Sequence, residues 1–546
     1  MKKGTYGKLV YLGVALCIIA CMLVIACGEP EPTTSSAAPT SSSAPPTSSA
    51  APTTTTSEQY GGILKIISNP GLQNMGYPGQ AFFPGDQGLG RPAVQFLLNR
   101  DPETLEYIGE LATSFEYNSD YTSITLPLRK GVKFHDGTDF NADAAVYNLN
   151  LHKNGVRNDL KVVTSIDIID DYTIRLNLSE YDAKLLNGLA SLSGTMVSPT
   201  SLEKLGEDAK FHPVGTGPYK FVSYQTDVSL KYERFDDYWG GKPYLDGIEF
   251  VFIKDPVTQM SSFRAGEAQV LRSVDIIGAS DLQAEGKDKY VIIGSPGRVE
   301  GIAVDGGHSD SYFSDIEVRR AIAHAIDNEA IAKTLGKGFY KAAYQWANPD
   351  TGGLPYNPDI VGYEYDPDKA KQLLTDAGYP DGFETTIVLE NRGDQVEMMT
   401  MVQADLAKVG ITAKLDVADM ARFNEIANNG WNNLILYFWM SASPGIDAAT
   451  ATGTKMCSTA SHYDPEALGI PADFDALYWV ACAEHDPDKA RELFQEIGKM
   501  AVDDYCMAIP IYVGYGFRAA TTEVHNYDWG AYGINEWRPE NAWLSK

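Results

Sequence analysis

A sharp change of composition near residue 58 determines which part of this chain can fold. Residues 28–58 are mostly Ser, Thr, Pro and Ala, with scarcely a large apolar side chain. Such a segment buries too little surface to offset the entropy lost on ordering, so we expect a disordered linker. Folding is therefore confined to the part from Tyr60 to Lys546, which is long enough for roughly two or three domain-sized units.

The first 27 residues predict export from the cytoplasm. Three lysines precede an almost unbroken apolar run over residues 9–26, which is the arrangement of a secretion signal. A run of this length would also fit an uncleaved membrane anchor. Its end, residues 24–27 (VIAC), resembles the bacterial lipobox, whose cysteine receives diacylglycerol; a similar pattern at residues 18–21 is followed by further apolar residues. We therefore expect residues 1–27 to form a lipoprotein signal peptide that ends at lipidated Cys27.

Composition limits the classes of function that the folded part can have. The whole chain has 44% apolar and 21% charged residues, which is ordinary for a globular protein. The formal net charge of −28 argues against binding nucleic acid and against lying flat on an anionic bilayer. A solvated acidic surface explains this charge without naming a ligand.

Cysteines beyond the linker are few. Cys457, Cys482 and Cys506 allow three disulfide pairings with one thiol left over. An exported location permits a disulfide, and we favour Cys457–Cys482. We expect no metal site, because the spacings match no zinc pattern.

Local patterns predict alternating strands and helices, and hence an α/β fold. Residues 124–128 and 174–178 alternate apolar and polar side chains, which is the period of a half-buried strand. Asn141 is placed to cap a helix between them. Asp366 and Asp486 each precede the sequence Pro-Asp-Lys-Ala, which puts a capping carboxylate before a proline at the first helical position. We interpret these acids as structural.

Five motifs in a fixed order resemble those of one known family. They are residues 128–143 (LRKGVKFHDG, with NAD at the end), 214–219 (VGTGPY), 238–246 (YWGGKPYLD), 318–327 (VRRA, then AID) and 366–380. Nearly all of the chain from Tyr60 to Lys546 resembles the extracellular solute-binding proteins that include the oligopeptide-, dipeptide- and nickel-binding proteins of ABC importers. Five motifs in the family order make this resemblance highly specific.

Two of these motifs invite a chemical interpretation that their context does not favour. His135 is followed by Asp136 and Gly137, and we interpret this sequence as a tight turn, not as a metal or general-base site. The Gly-Thr-Gly sequence at residues 215–217 leads into a proline and a strand, whereas a phosphate loop needs Gly-Lys-Ser/Thr opening a helix. We expect it to be a backbone crossing between lobes.

The resemblance implies a bilobed periplasmic-binding-protein-like fold of type II, from the large cluster with an extra subdomain. A hinge joins the two lobes, and the ligand is enclosed between them. By resemblance, lobe I comprises residues 60–99, 213–293 and 510–546, the extra subdomain residues 100–212, and lobe II residues 294–509. Hinge crossings are expected near Val214, Gly294 and Pro510. The ligand would bias the closed form through its differential affinity, and the importer would recognise that form.

The resemblance also suggests which side chains meet the ligand. Residues 431–447 match the family segment that lines the cleft from lobe II. Tyr437 and Trp439 are therefore expected to stack on the ligand, although aromatics at strand spacing are equally typical of a core. The further candidates are Tyr344 and Trp346 on an exposed loop, and Arg422, Tyr515 and Arg518. A surface salt bridge would equally explain either arginine.

One departure from the family bears on the ligand. Peptide-binding members usually carry an aspartate shortly after this tryptophan, which pairs with the α-ammonium group of the peptide. Here the matching place is near Ala442, and the next acid is Asp447. Either Asp447 makes this charge-assisted contact from a shifted loop, or the ligand has no free α-amine.

With the resemblance, the sequence predicts the substrate-binding lipoprotein of an ABC importer, a monomer without a cofactor. It would be lipid-anchored outside the cytoplasm, in the periplasm or on the outer face of the plasma membrane. We expect a small organic solute as ligand, a peptide first and an oligosaccharide or metal chelate as alternatives. A ligand sensor for a membrane receptor would use the same fold. We do not expect an enzyme, because the chain lacks the Gly-x-Ser-x-Gly, His-Glu-x-x-His and Rossmann glycine patterns.

Overall fold

The computed structural model describes residues 58–80, 88–101, 104–155, 159–348, 354–441, 447–527 and 537–546. The expected signal peptide, Cys27 and almost all of the expected linker lie outside these ranges. From Ser57 to Lys546 the chain forms one compact unit. None of the helices within the described ranges is long and apolar enough to cross a membrane.

Strands and helices alternate irregularly along this unit. The strands are β1 (Ile63–Ser68), β2 (Gln95–Phe96), β3 (Leu98–Arg100), β4 (Tyr107–Gly109), β5 (Glu116–Tyr117), β6 (Ser123–Pro127), β7 (Val163–Asp170), β8 (Thr173–Leu178), β9 (Thr195–Met196), β10 (Tyr219–Gln225), β11 (Ser229–Arg234), β12 (Gly247–Phe252), β13 (Val270–Val274), β14 (Tyr290–Val304), β15 (Lys341–Ala342), β16 (Glu384–Glu390), β17 (Thr412–Ala418), β18 (Leu434–Ser441), β19 (Ala508–Thr521), β20 (Val524–His525) and β21 (Trp543–Leu544). The α-helices are α1 (Ala142–Lys153), α2 (Lys184–Leu189), α3 (Pro199–Leu205), α4 (Pro256–Arg264), α5 (Ile276–Glu285), α6 (Ile316–Ala325), α7 (Asn328–Gly336), α8 (Pro367–Asp376), α9 (Gly393–Lys408), α10 (Met420–Asn429), α11 (Ala448–Gly453), α12 (Pro465–Leu468), α13 (Ala472–Ala483) and α14 (Pro487–Lys499).

The largest sheet joins two sets of strands through a pair of long antiparallel ones. Its order is β10-β11-β12-β1-β13-β19-β14-β18-β16-β17, and β15 pairs on β19. In the first half, β1 runs parallel to β12 and β13. In the second half, β16 runs parallel to β17 and β18. We use "first half" for β1 and β10–β13, and "second half" for β16–β18.

Between the two halves, β14 and β19 form a two-stranded ribbon. The first half reaches β19 through β13, at residues 517–520. The second half reaches β14 through β18, from Arg298 onward. Ser295 and Pro296 pair with Gly516 and Tyr515, Gly297 lies at a register shift, and Gly514 pairs with Arg298. Residues 295–297 and 514–516 pair with no described strand outside β14 and β19. We call these two segments the ribbon.

Buried apolar side chains gather in separate clusters on either side of the ribbon. The largest is built from residues between Val299 and Val513 and covers the second half. Two clusters cover the two faces of the first half, since Ile66 belongs to one and Ile67 to the other. A further cluster, between Leu97 and Met196, fills the small antiparallel sheet β5-β6-β8-β7 and helix α1. We call this part the subdomain.

The structure confirms the local patterns. Ile124 on β6 lies opposite Leu176 on β8, and both side chains are fully buried. Asn141 caps α1, its Oδ1 accepting a backbone hydrogen bond at 3.0 Å. Asp366 and Asp486 cap α8 and α14 in the same way, with the proline at the start of each helix.

The turn at His135 is confirmed as well. Gly137 has a φ of 85°, a conformation that glycine adopts without strain. Asp136 accepts hydrogen bonds from the backbone and hydroxyl of Thr138, at 3.1 and 2.6 Å. The Nε2 of His135 lies 2.9 Å from the carbonyl oxygen of Gly217, and burial lowers the pKa of this imidazole to about 4. The histidine therefore ties the turn to the 215–217 segment as a neutral side chain.

The subdomain also contacts the end of α13, which packs in the apolar cluster of the second half. The ring of Tyr121 stacks on that of His485, with their centroids 4.0 Å apart. The backbone N–H of Ala183 donates to the carbonyl oxygen of Cys482 at 3.3 Å. The two halves thus meet through the subdomain as well as through the ribbon.

Gly301, beside the ribbon, gives a direct test of how closely β14 packs on β19. A Cβ there would lie 2.1 Å from the carbonyl oxygen of Ile509 and 2.9 Å from the ring of Trp346. Gly301→Ala is expected to lower the free energy of unfolding by about 3 kcal/mol, because backbone of the neighbouring strand cannot move aside cheaply.

Gly516 supplies the matched control on β19. A Cβ there meets nothing within 4 Å, so Gly516→Ala should change the free energy of unfolding by less than about 0.5 kcal/mol. Urea unfolding of both variants measures the difference. Equal stabilities would contradict the close strand contact at Gly301.

Candidate ligand-binding site

The parallel strands of the second half end at one cavity. Ligands of open α/β sheets bind outside the carboxyl ends of the strands, and here a cavity of about 190 Å³ lies at the ends of β16 and β18 and the start of α10. Its lining comprises Arg298, Glu390, Arg392, Met420, Phe423, Asn424, Trp439, His462 and Tyr463. The lining mixes aromatic rings with charged groups, as small-molecule sites do.

Trp439 packs against two basic side chains. The guanidinium carbon of Arg298 lies 3.7 Å from the ring centroid, and the Nζ of Lys455 lies 3.5 Å from it. Distances this short place each cation above the ring plane. Both basic side chains therefore pack against the indole.

Lys455 is buried without a hydrogen-bond partner. Its side chain is 3% exposed, and its Nζ makes no hydrogen bond to any residue in the described ranges. Burial, together with the charge of Arg298, lowers the pKa of this amine to about 7. An unpaired buried ammonium is costly, and the Trp439 ring offsets only part of that cost.

An acid lies directly opposite the tryptophan on the paired strand, since Glu300 of β14 is the register partner of Trp439 of β18. Glu300 on β14 is buried and accepts a hydrogen bond from the hydroxyl of Tyr437. Burial raises the pKa of Glu300, and the charge of Arg298 opposes that rise. The pKa of His462 falls to about 4, through burial and then through the charge of Lys455. The imidazole is therefore neutral near pH 7.

The first half carries a second cavity in the equivalent place. It has a volume of about 300 Å³ and lies at the carboxyl ends of β1 and β13, lined among others by Ser68, Gln259 and Arg272. Arg272 donates to the hydroxyl of Ser68 at 3.0 Å. Each half of the sheet therefore presents a polar cavity at the ends of its parallel strands.

Comparison with known proteins identifies the family. Residues 106–457 match the family described as "Bacterial extracellular solute-binding proteins, family 5 Middle". The chain belongs to this family. The glutathione-binding protein GsiB of Pectobacterium atrosepticum is 32% identical over 374 residues, which are 66% of this chain and 71% of the relative.

Solved structures show the same bilobed fold. The periplasmic binding protein DppA of Helicobacter pylori, in complex with the peptide STSA, superposes with a TM-score of 0.74 at 24% identity. That match covers 89% of this chain and 99% of DppA. NikA of Brucella suis, in complex with Fe(III)-EDTA, gives a TM-score of 0.78 at 23% identity, over 89% of this chain and 100% of NikA. The chain is thus an extracytoplasmic solute-binding protein of family 5.

Of the residues expected in the cleft of this family 5 protein, Trp439 lies in the cavity. Tyr437, its neighbour on the strand, is fully buried behind it. Tyr344 is half-buried, and its hydroxyl donates to Glu329 at 3.3 Å. Tyr515 is half-buried in the ribbon and packs against buried apolar side chains of both halves.

The expected placement of Trp346 needs correction. Trp346 is core, not an exposed loop residue, since it is 4% exposed and its Nε1 donates to the carbonyl oxygen of Ala508 at 3.2 Å. Arg422 forms a two-point surface salt bridge with Asp416, at 2.7 and 2.6 Å. A surface salt bridge, the alternative already open from the sequence, thus accounts for Arg422. Arg518 donates to the hydroxyl of Ser295 at 3.1 Å.

Asp447 has a structural role in this family 5 chain. Its carboxylate caps α11, accepting hydrogen bonds from the backbone and hydroxyl of Thr450 at 2.8 and 2.9 Å. Burial raises its pKa, and the positive charge of Arg100 opposes the rise. The loop around Ala442 lies outside the described residues.

The expected disulfide between Cys457 and Cys482 is wrong. Cys457, Cys482 and Cys506 are buried free thiols. The Sγ of Cys457 instead donates to the carbonyl oxygen of Gly453 at 3.2 Å. Burial raises the pKa of Cys482 to about 12 and that of Cys506 to about 11. Spacing along the chain gave no information about whether the sulfurs could meet.

Sequence reasoning missed Arg298, Lys455 and His462. Neither Arg298 nor Lys455 lies in a recognisable motif. Arg298 comes close to Trp439 because β14 pairs with β18. The described residues contain no group of three or more His, Cys, Asp or Glu side chains that would hold a metal ion.

Proposed function

We propose that this chain is the substrate-binding lipoprotein of an ABC importer. It captures a small organic solute, a peptide first, between two lobes and delivers it to the membrane permease. The observation that carries this proposal is the Trp439 cavity at the carboxyl ends of β16 and β18. Glutathione is the solute named for GsiB and a peptide is bound to DppA, which supports a peptide as the first candidate.

The lobe boundaries proposed from the sequence fit the distribution of buried clusters. Lobe I would be residues 60–99, 213–293 and 510–546, the extra subdomain 100–212 and lobe II 294–509. The apolar clusters of the first half, the subdomain and the second half fall largely within these three parts. The ribbon would then act as a hinge, because only two backbone segments pair there.

Further parts of the proposal concern location and assembly. Lipid attachment at Cys27 would hold the protein at the membrane, and the linker would let the folded part reach the permease. We propose a monomer that binds without catalysis and without a cofactor.

Native mass spectrometry of the compact unit Ser57–Lys546, purified without refolding, tests the proposal. We expect a peptide-sized molecule to co-purify. Adding glutathione or a short peptide at about a hundred times its Kd should raise the free energy of unfolding by about 2.7 kcal/mol. Stabilisation by a neutral oligosaccharide, with none from any peptide, would contradict a peptide ligand.

A further inference from the structure

The subdomain meets the segment between α13 and α14 mainly through aromatic rings. Tyr121 lies between β5 and β6, and its ring stacks on that of His485, with the centroids 4.0 Å apart and the ring planes 7° apart. Tyr181, between β8 and α2, meets the same imidazole edge-on at 5.0 Å. The two tyrosine rings are themselves perpendicular, with their centroids 5.5 Å apart. One imidazole therefore contacts two tyrosines of the subdomain at once.

Weaker polar contacts accompany these rings. The Nζ of Lys184 lies 5.4 Å from the ring centroid of Trp479 on α13, and the Ala183 amide reaches the carbonyl oxygen of Cys482 at 3.3 Å. Trp479 is 41% exposed, and His485 is exposed as well. Because both residues stay in contact with water, this contact can separate without uncovering a large apolar surface.

The backbone at Tyr121 is in a conformation that its side chain does not favour. Its φ is 54°, in the left-handed region that residues other than glycine rarely adopt. Asn118 holds the turn, since its carbonyl oxygen accepts from the Tyr121 N–H at 3.1 Å and its Oδ1 accepts from the Ser123 N–H at 3.0 Å. Strain of this kind persists where the position of a side chain has a function, and here it presents a ring to the other side of the contact.

The opposite side of the subdomain is joined to the first half by closer contacts. The guanidinium carbon of Arg129 lies 4.2 Å from the ring centroid of Trp239, between β11 and β12. The Nε2 of His135 lies 2.9 Å from the carbonyl oxygen of Gly217, just before β10. We therefore expect the subdomain to move with the first half. Its contact with His485 is then the one that breaks when the two halves part.

We propose that Tyr121, Tyr181 and His485 form a clasp that holds the second half against the subdomain before any solute is bound. This inference rests on the proposed function, since it takes the two halves to part at the ribbon. Ring stacking exists only in the closed arrangement, where the subdomain touches the segment after α13. The clasp therefore favours that arrangement, and a solute that binds it has less of the closing free energy to supply.

Hydrogen exchange of the full chain in detergent, without solute, tests the clasp. The Ala183 amide donates across the contact, so its exchange rate reports how often the contact opens. His485→Ala is expected to speed this exchange about two- to tenfold, the range that one aromatic pair contributes. The substitution and the reporting amide lie on opposite sides of the contact. An Ala183 amide that exchanges like an unprotected peptide in the wild type would overturn the clasp.

Matched variants separate the clasp from ordinary packing. Tyr121→Phe keeps the ring and should exchange like the wild type. Tyr121→Ala combined with His485→Ala should exchange no faster than His485→Ala alone, because this imidazole is the shared partner of both tyrosines. Tyr172→Ala is the control, since it removes a ring between β7 and β8 whose neighbour is Lys130, 5.4 Å away in the same subdomain. Independent, multiplying effects of Tyr121→Ala and His485→Ala would contradict a shared contact.

Solute release gives a second readout, with glutathione as the probe. Tyr121 lines neither the Trp439 cavity nor the cavity of the first half. Tyr121→Ala is nevertheless expected to speed dissociation about two- to tenfold, because an enclosed solute leaves when the halves part. Tyr172→Ala should release glutathione at the wild-type rate. Faster exchange at Ala183 with an unchanged release rate would mean that the contact opens without parting the halves, which overturns the clasp.

The outcomes separate this inference from the proposed function. If exchange at Ala183 changes as expected but neither glutathione nor a short peptide binds, the peptide ligand fails and the clasp stands. If glutathione binds but neither exchange nor release changes in the variants, the clasp fails and the proposed function stands.

Discussion

Lys455→Met is expected to stabilise the protein. Lys455 is 3% exposed and its amine has no hydrogen-bond partner among the described residues, whereas methionine fills a similar volume without a charge. Part of the cost is offset by the Trp439 face at 3.5 Å. We expect a gain of about 2 kcal/mol in the free energy of unfolding at pH 7, measured by urea denaturation without added solute.

The pH dependence has a definite sign. The pKa of Lys455 is about 7 in the folded chain and 10.5 ordinarily, so the unfolded chain binds more protons between these values. Wild-type stability should therefore rise with pH through this window, and the advantage of Lys455→Met should shrink from pH 7 towards pH 10. Lys414→Met is the control, because Lys414 is exposed and lies 3.9 Å from an equally exposed Glu384. It should change neither the stability at pH 7 nor its pH dependence. A destabilised Lys455→Met variant would contradict the unpaired ammonium.

Glu110→Ala is expected to cause the largest loss of stability. Glu110 accepts a hydrogen bond from the Nη2 of Arg91 at 2.6 Å, and both side chains are buried. Its other oxygen accepts from the backbone of Phe96 at 3.0 Å. Removing the carboxylate leaves the buried Arg91 guanidinium without its ion-pair partner, which costs about 3–5 kcal/mol. Thermal or urea unfolding measures the change.

A double variant separates the lost charge pair from lost packing. Arg91→Met combined with Glu110→Met removes both charges and should recover much of the loss, because buried pairs contribute little net stability against apolar replacements. Glu106→Ala, four residues earlier on an exposed segment, serves as a control near the wild type. A double variant as unstable as Glu110→Ala would show that the buried guanidinium is not the cause.

Much of the fold was predictable because its signals are local. The Asn141, Asp366 and Asp486 caps act within one helical turn, and the alternation in β6 and β8 needs no distant partner. The family motifs added the bilobed arrangement, which periodicity alone does not give. Strand order in the large sheet lay beyond any local pattern.

The site was predictable only in part. Trp439 was found because an aromatic residue ends a buried strand at the place the family uses. Lys455 and Arg298 were not, since they meet on one ring only after β14 pairs with β18. Trp346 was misplaced because nothing in its local sequence shows that its ring packs on Phe438, 5.0 Å away. Long-range pairing, not composition, determines these contacts.

Burial of the three thiols affects how the protein withstands oxidation outside the cytoplasm. Oxidants and alkylating reagents attack the thiolate, and burial raises the pKa of Cys482 and Cys506 to about 12 and 11. Cys482 and Cys506 are therefore almost wholly protonated in the folded chain, and all three thiols of the described ranges are buried, whereas an unfolded chain exposes them. Covalent dimers and mispaired aggregates would then arise from molecules that have opened, so the native fold itself protects this chain from oxidative cross-linking.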